Sequence, residues 1–310
     1  MVDYRSVYFF NELKSSLYVI TLNTYEYIMK KIKRIISTGR QAVGEHMMYQ
    51  PLPNHEFQNL DPFLLLHHHG PHEFGPYNQG LPFGPHPHRG FETLTFIYEG
   101  AIEHADSQGH KSIINSGGVQ WMTAGRGIVH SENIPADLRE NGGKMEIIQL
   151  WMNLPSKLKM TAPAYQGLQK EALPVLASGD GKVTSQVISG TIGNVTGPAE
   201  TITGLTVLNV VAKAGGKEVF EASQENTVLL YVLNGELLVN GKLVIDHQMI
   251  DFEGSGTHLK IEAQTSSRFI LCHGRAHNEP IVSQGPFVMN STTEILQAMK
   301  DYQMGKMGMM

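Results

Sequence analysis

Two pairs of metal-capable side chains, each pair spaced by one residue, limit this chain more than any other feature. His86 and His88 lie in Gly84-Pro85-His86-Pro87-His88-Arg89-Gly90. Further along, His130 and Glu132 follow the glycine-rich turn Gly125-Arg126-Gly127. Both stretches read as strands, and in a strand residues i and i+2 share a face. If the two strands are neighbours in a small barrel, three imidazoles and one carboxylate converge on one interior point. A divalent transition metal needs such a set.

The rest of the chain fits a β-rich scaffold. It has 32 glycines and 15 prolines in 310 residues, and its apolar runs are short. Strands are expected at Phe63–Leu66, Glu92–Tyr98, Val119–Met122 and Lys144–Met152, then at Thr206–Val211, Thr227–Leu233, Glu236–Val239, Leu259–Glu262 and Arg268–Cys272. Asn234-Gly235 and Asn240-Gly241 are hairpin signals. A helix should begin after Ser291 as N-cap, with Glu294 three residues on and Ile295, Leu296, Ala298 and Met299 behind it. The Met- and Gly-rich tail after it should fray.

Composition narrows the function classes. The chain is 41% hydrophobic and 17% charged, enough for one large or two medium domains. A net charge of -5 with no broad basic excess argues against direct nucleic-acid binding. No segment approaches the roughly eighteen apolar residues of a membrane span. Residues 16–25 are too short and polar for one, and no basic leader or cleavage site makes them a signal peptide. The single Cys272 excludes an internal disulfide and fits a cytoplasmic location.

Three domains are expected: an extension at 1–29, loosely attached or a misassigned start; a metal-binding barrel at 30–165; and a second barrel with the helix at 166–310. Asn153 to Ser178 reads as the linker. The halves repeat: Gly80, His86, His88, Glu92 and Gly100 align with Gly216, Ala222, Gln224, Val228 and, one residue out of step, Gly235. The second set cannot ligate a metal.

The run Gly-x5-His-x-His-x3-Glu, then Gly, then a Gly-rich turn before a lone His, resembles the two cupin motifs. Ala124-Gly125 stands where cupins usually carry a proline, and the expected Asn is absent. His86 to Thr93, Gln120 to Ile128 with His130 and Glu132, and Gly285 to Asn290 resemble the pirin family, from about residue 30 to the end. The resemblance implies an all-β fold of two tandem jelly-roll-like cupin barrels, with a short C-terminal helix. It implies mononuclear iron, Fe(II), in the first barrel, held by His86, His88, His130 and Glu132. Mn, Ni, Cu and Zn are the alternatives.

Other residues have blander readings. His67, His68, His69 and His72 are expected in a solvated loop rather than at the metal entrance, although His72 and Glu73 could line its mouth. Glu92 is expected to support His86 or His88, or else to face outward. Arg89 and Arg126 are expected in ordinary salt bridges. Lys30 to Arg34 should form a solvated strand face, and Cys272 should be buried and inert.

Three functions follow from the resemblance. The first is a dioxygenase opening flavonol-type aromatics such as quercetin with O2, in which Glu132 takes the substrate proton. The second is an iron-dependent redox sensor that binds a transcription factor or metabolic enzyme as protein partner. A structural zinc or manganese site suits the pattern less, because it would leave no open position.

Overall fold

A computed structural model of the chain describes residues 19–22, 25–43, 46–55 and 58–310. Each half builds a seven-stranded sheet faced by a four-stranded one, and all strand pairings in these four sheets are antiparallel. In the first half the large sheet runs Ala164–Leu168, Val119–Thr123, Phe91–Glu99, Gly143–Asn153, Phe63–Phe74, His46–Leu52, Arg40–Val43. Its small sheet runs Lys111–Asn115, Ala101–Asp106, Ile128–Asn133, His86–His88. The second half repeats this order with Ile32–Ser37, Gln248–Phe252, Asn226–Asn234, Ser267–Arg275, Thr206–Ala212, Val183–Ser189 and Val175–Ala177. Its small sheet is Lys242–Val244, Leu237–Val239, His258–Ala263, Lys217–Glu221. The fold is all-β, with two barrels of cupin type.

The two large sheets pack against each other. Leu94, Phe96, Trp121, Ile148 and Leu150 from one meet Leu229, Tyr231, Met249, Ile270 and Cys272 from the other in one buried cluster. Each such side chain contributes roughly 1.5–3 kcal/mol of burial. Cys272 is buried, as its apolar run implied, and burial pushes its thiol well above the usual range. Alternation then aims the opposite faces at the barrel interiors. The second interior is mainly apolar, with Val187, Leu208, Leu230, Leu259, Ile261 and Phe269 among its residues. The first is apolar only in part, around Ile97, Ile102, Ile114 and Ile147.

An exchange of strands couples the halves. Ile32–Ser37 precedes the first barrel in sequence but pairs with Gln248–Phe252 of the second. Ala164–Leu168 precedes the second barrel but pairs with Val119–Thr123 of the first. The segment expected to be an inter-domain linker therefore holds the end strand of the first large sheet. The basic run that leads into the exchanged strand is solvated at Lys31 and Lys33, as expected, and anchored at its two ends. Lys30 is buried, with Nζ donating to the Asn226 carbonyl at 3.5 Å, and the Arg34 Nε donates to Asp251 at 3.0 Å. Of the amino-terminal extension, Val19–Leu22 pairs with Tyr25–Ile28, and Met29 bridges to His258. Residues 1–18, 23 and 24 lie outside the described residues.

The tail does not fray. Ser291 caps the helix Thr292–Gln303: its hydroxyl accepts from the Glu294 amide and donates to the Glu294 carboxylate, which also accepts from the Asn290 amide at 3.2 Å, a close relative of the capping box. Ile295, Ala298 and Met307 pack on Val129, Phe287 and Met289, which carries the chain end back over the first barrel. Among the described residues no helix is long and apolar enough to cross a membrane.

Candidate metal centre

Pairing brings the two short motifs together. Ile128–Asn133 lies antiparallel to His86–His88, with His130 directly opposite His86 and Ile128 opposite His88. Cross-strand partners and i+2 neighbours share a face, so His86, His88 and His130 meet inside the barrel. One ring nitrogen from each lies within 4.8 Å of the other two. His88 and His130 are buried, and His86 is half-buried.

The hydrogen bonds orient these rings for a cation. The His86 Nδ1 lies 2.7 Å from the Gly84 carbonyl, and the His88 Nδ1 is 3.4 Å from the Pro286 carbonyl. A carbonyl only accepts, so each Nδ1 carries the proton and each Nε2 presents a lone pair. Those two Nε2 atoms stand 3.1 Å apart. Among the described residues, neither nitrogen of buried His130 has a partner. Facing lone pairs and an orphaned imidazole fit a metal ion. Burial, and then the neighbouring His86, holds His88 down at about 3. Burial, and then His88, holds His130 well below the ordinary histidine range. Both rings are neutral at neutral pH, the form that ligates.

Glu132 shares the interior but is not within that 4.8 Å group. Its carboxylate is buried, accepting from the Thr95 hydroxyl at 3.1 Å and the Gln149 amide at 2.7 Å. The Trp151 indole in turn donates to Gln149 at 3.1 Å, which fixes that amide. On the neighbouring strand of the same sheet, directly across from Glu132, the buried His104 pairs with Asp106 at 3.1 Å, and the exposed His110 pairs with the same carboxylate at 2.9 Å. The His104 ring lies 5.4 Å from that of His130 and stacks on Tyr165 at 3.9 Å. Sequence reading missed this array. The alternation of Ile102, His104 and Asp106 in a strand was the available signal.

Other residues stand elsewhere than expected. His67, His68 and His69 are not in a loop. They lie inside the strand Phe63–Phe74, with His67 opposite Gln149 and His69 opposite Ile147. His68 turns to the barrel–barrel interface, bonding Glu146 at 3.1 Å and the Tyr231 hydroxyl at 3.0 Å. Glu92 supports neither histidine. It faces the interface side with Leu94, accepting from Thr123 at 2.6 Å and Trp121 at 3.2 Å. Burial raises its pKa. The cause is a change of parity at Gly90: 86 and 88 point inward before it, and Thr95 points inward after it. Gly90 has φ +90°, and a Cβ there would collide with the carbonyl oxygen of Val288. Arg89 does form a salt bridge, to Asp301 of the helix at 2.9 Å, and its Nε donates to the Arg126 carbonyl at 2.6 Å. Arg126 is exposed.

Comparison with known proteins decides the family. The Pirin family model matches residues 43–152, and the Pirin C-terminal cupin domain model matches residues 207–308. This chain belongs to the pirin family. A Pseudomonas aeruginosa protein, whose name assigns it provisionally as a quercetin 2,3-dioxygenase, is 38% identical over 90% of this chain and 98% of its own length. Human Pirin is 36% identical over 82% of this chain and 85% of its own. Among solved structures, a quercetin 2,3-dioxygenase of Acinetobacter baumannii superposes with a TM-score of 0.85 at 35% identity, covering 90% of this chain and 99% of that one. Relatives named for an enzyme and relatives named only as pirins are thus similar to it at comparable levels.

Proposed function

We propose that this pirin is an iron-dependent dioxygenase that opens flavonol-type aromatics, with His86, His88, His130 and Glu132 as its metal ligands. The observation that carries this reading is the set of three inward-facing imidazoles in a barrel that keeps an adjacent carboxylate. The quercetin 2,3-dioxygenase names among the relatives support a flavonol-type substrate class. When bound, the metal would supply Lewis-acid and redox chemistry toward the substrate hydroxyl and O2.

The remaining steps belong to the chain. Glu132 accepts the substrate's hydroxyl proton on a carboxylate oxygen. Gln149 and Thr95 hold that carboxylate in place, and Trp151 keeps the Gln149 amide facing it. Phe91 and Trp151, with ring centroids 4.3 Å apart, form an aromatic wall beside His88 and keep water off the reacting face. Losing such a base typically lowers turnover about 10²- to 10⁴-fold.

The test is oxygen uptake with quercetin by protein of measured iron content. The expected result is stoichiometric uptake, reduced by at least about a hundredfold in Glu132→Gln. A fully iron-loaded sample that consumes no oxygen overturns the proposal and leaves the redox-sensing regulator as the reading to pursue.

A further inference from the structure

The second barrel has lost the metal residues but not its open end. A cavity of about 540 Å³ lies there, lined on its apolar side by Leu176, Ile192, Phe220 and Ala222. At its floor stands His273. The strand Ser267–Arg275 sends Phe269 and Leu271 into the apolar interior, and His273 follows on the same face at the barrel's end. His273 is 8% exposed, yet its Nε2 is buried and has no partner among the described residues. Its Nδ1 is occupied by the Asn226 amide nitrogen at 3.0 Å. With Asn226 donating to Nδ1, the imidazole proton sits on Nε2. A buried N–H left unmatched costs about 1–3 kcal/mol, and the cavity that His273 lines is where a partner could enter.

From this we infer that the second barrel binds an uncharged small molecule, a ring-bearing carbonyl compound whose oxygen accepts from the His273 Nε2. The charges around the cavity select neutrality. Glu218 and Glu221 at the rim repel an anion, and the buried Lys30 behind Asn226 repels a cation. The apolar wall calls for a ring or hydrocarbon face. Burial, and then Lys30, holds His273 down at about 4, so the ring offers one donor and no charge at neutral pH. The pocket lies at the end of the barrel that lacks the metal histidines, and it is a site separate from theirs.

The probe is chromone, a two-ring ketone without the hydroxyl a flavonol would present to the first barrel. It is titrated into metal-loaded full-length protein carrying 15N-labelled histidine, and the His273 Nε2–H signal is assigned with His273→Gln. The expected result is a saturable shift of that signal with a dissociation constant below about 1 mM. Affinity should fall at least about tenfold in His273→Gln, with metal content and oxygen uptake unchanged. Ile192→Trp, at the half-exposed rim, narrows the cavity without touching His273 and should weaken binding as much. An unmoved His273 signal, binding that survives Ile192→Trp, or tighter binding of benzoate than of chromone would each overturn the inference. All three readouts are independent of whether the first barrel turns over.

Discussion

The two barrels share one strand order and differ in what their inner walls carry. In the first, Ile128–Asn133 sends His130 and Glu132 inward. In the second, the corresponding His258–Ala263 sends Leu259 and Ile261. The difference teaches that the scaffold does not need the polar cluster. The second barrel closes over an interior that is almost wholly hydrocarbon, so the cluster of buried histidines in the first is a cost it bears for some other purpose. Attachment differs too. The first barrel is strapped from outside by the chain's last segment: Lys159, fully buried, donates to the carbonyls of Gly90 and Val288 at 2.8 and 3.0 Å and to the Asn153 side chain at 2.7 Å.

That contrast can be broken most directly at His130. Alanine there should reduce metal content to below about a tenth of wild type, measured by elemental analysis after dialysis. A variant that kept its metal would mean the first barrel is not the one that holds it. Next in size is the strap. Lys159→Met strands three buried acceptors and should cost about 3 kcal/mol, read as a lowered denaturant midpoint at unchanged slope. A change under about 0.5 kcal/mol would show that the strap is decorative.

A smaller effect is expected at the other end of the strap. Lys306, and then Arg89, holds Asp301 down at about 2 against an ordinary 3.8. A carboxylate whose pKa is depressed by folding stabilises above its unfolded value, and that contribution is lost as pH falls through its folded value. Amide exchange across Thr292–Gln303 should therefore be roughly tenfold faster in Asp301→Asn at pH 7. The gap between variant and wild type should close between about pH 4 and pH 2, and a gap that persisted at pH 2 would deny the ion pair its role. The smallest effect sharpens the comparison from the second barrel's side. Gln224→Ala should leave metal content unchanged, and a loss of half or more would end the single-site account.

Much of this was legible beforehand, and the failures have physical causes. The i, i+2 spacing of His86 with His88 foretold that those rings share a face, because strand geometry is local, whereas Glu132 shares the interior but stands outside the group they form with His130. The capping box at Ser291 was legible for the same reason. The turn at Gly90 was visible in sequence but its change of parity was not, so Glu92 was left between supporting a metal histidine and facing outward, and it does neither, being buried on the interface side. His67 to His69 read as a loop because polar type outweighed the alternation in which His67 and His69 face one barrel and His68 the other. The repeat was real, but Gln224 lies in an exposed turn beyond the strand Lys217–Glu221. Ala222, buried beside that strand's end, keeps the correspondence only in part. No local pattern announces a strand whose partner lies in the other barrel.

Strand exchange also governs the order in which the molecule can be finished. Ser37 meets Gln248, 211 residues further on. A growing polypeptide must leave that early ribbon waiting, with one row of amides and carbonyls unmet, until nearly the whole message has been translated. Cutting the gene between the barrels would yield two proteins that each present a raw sheet margin, and such margins recruit strands from other copies.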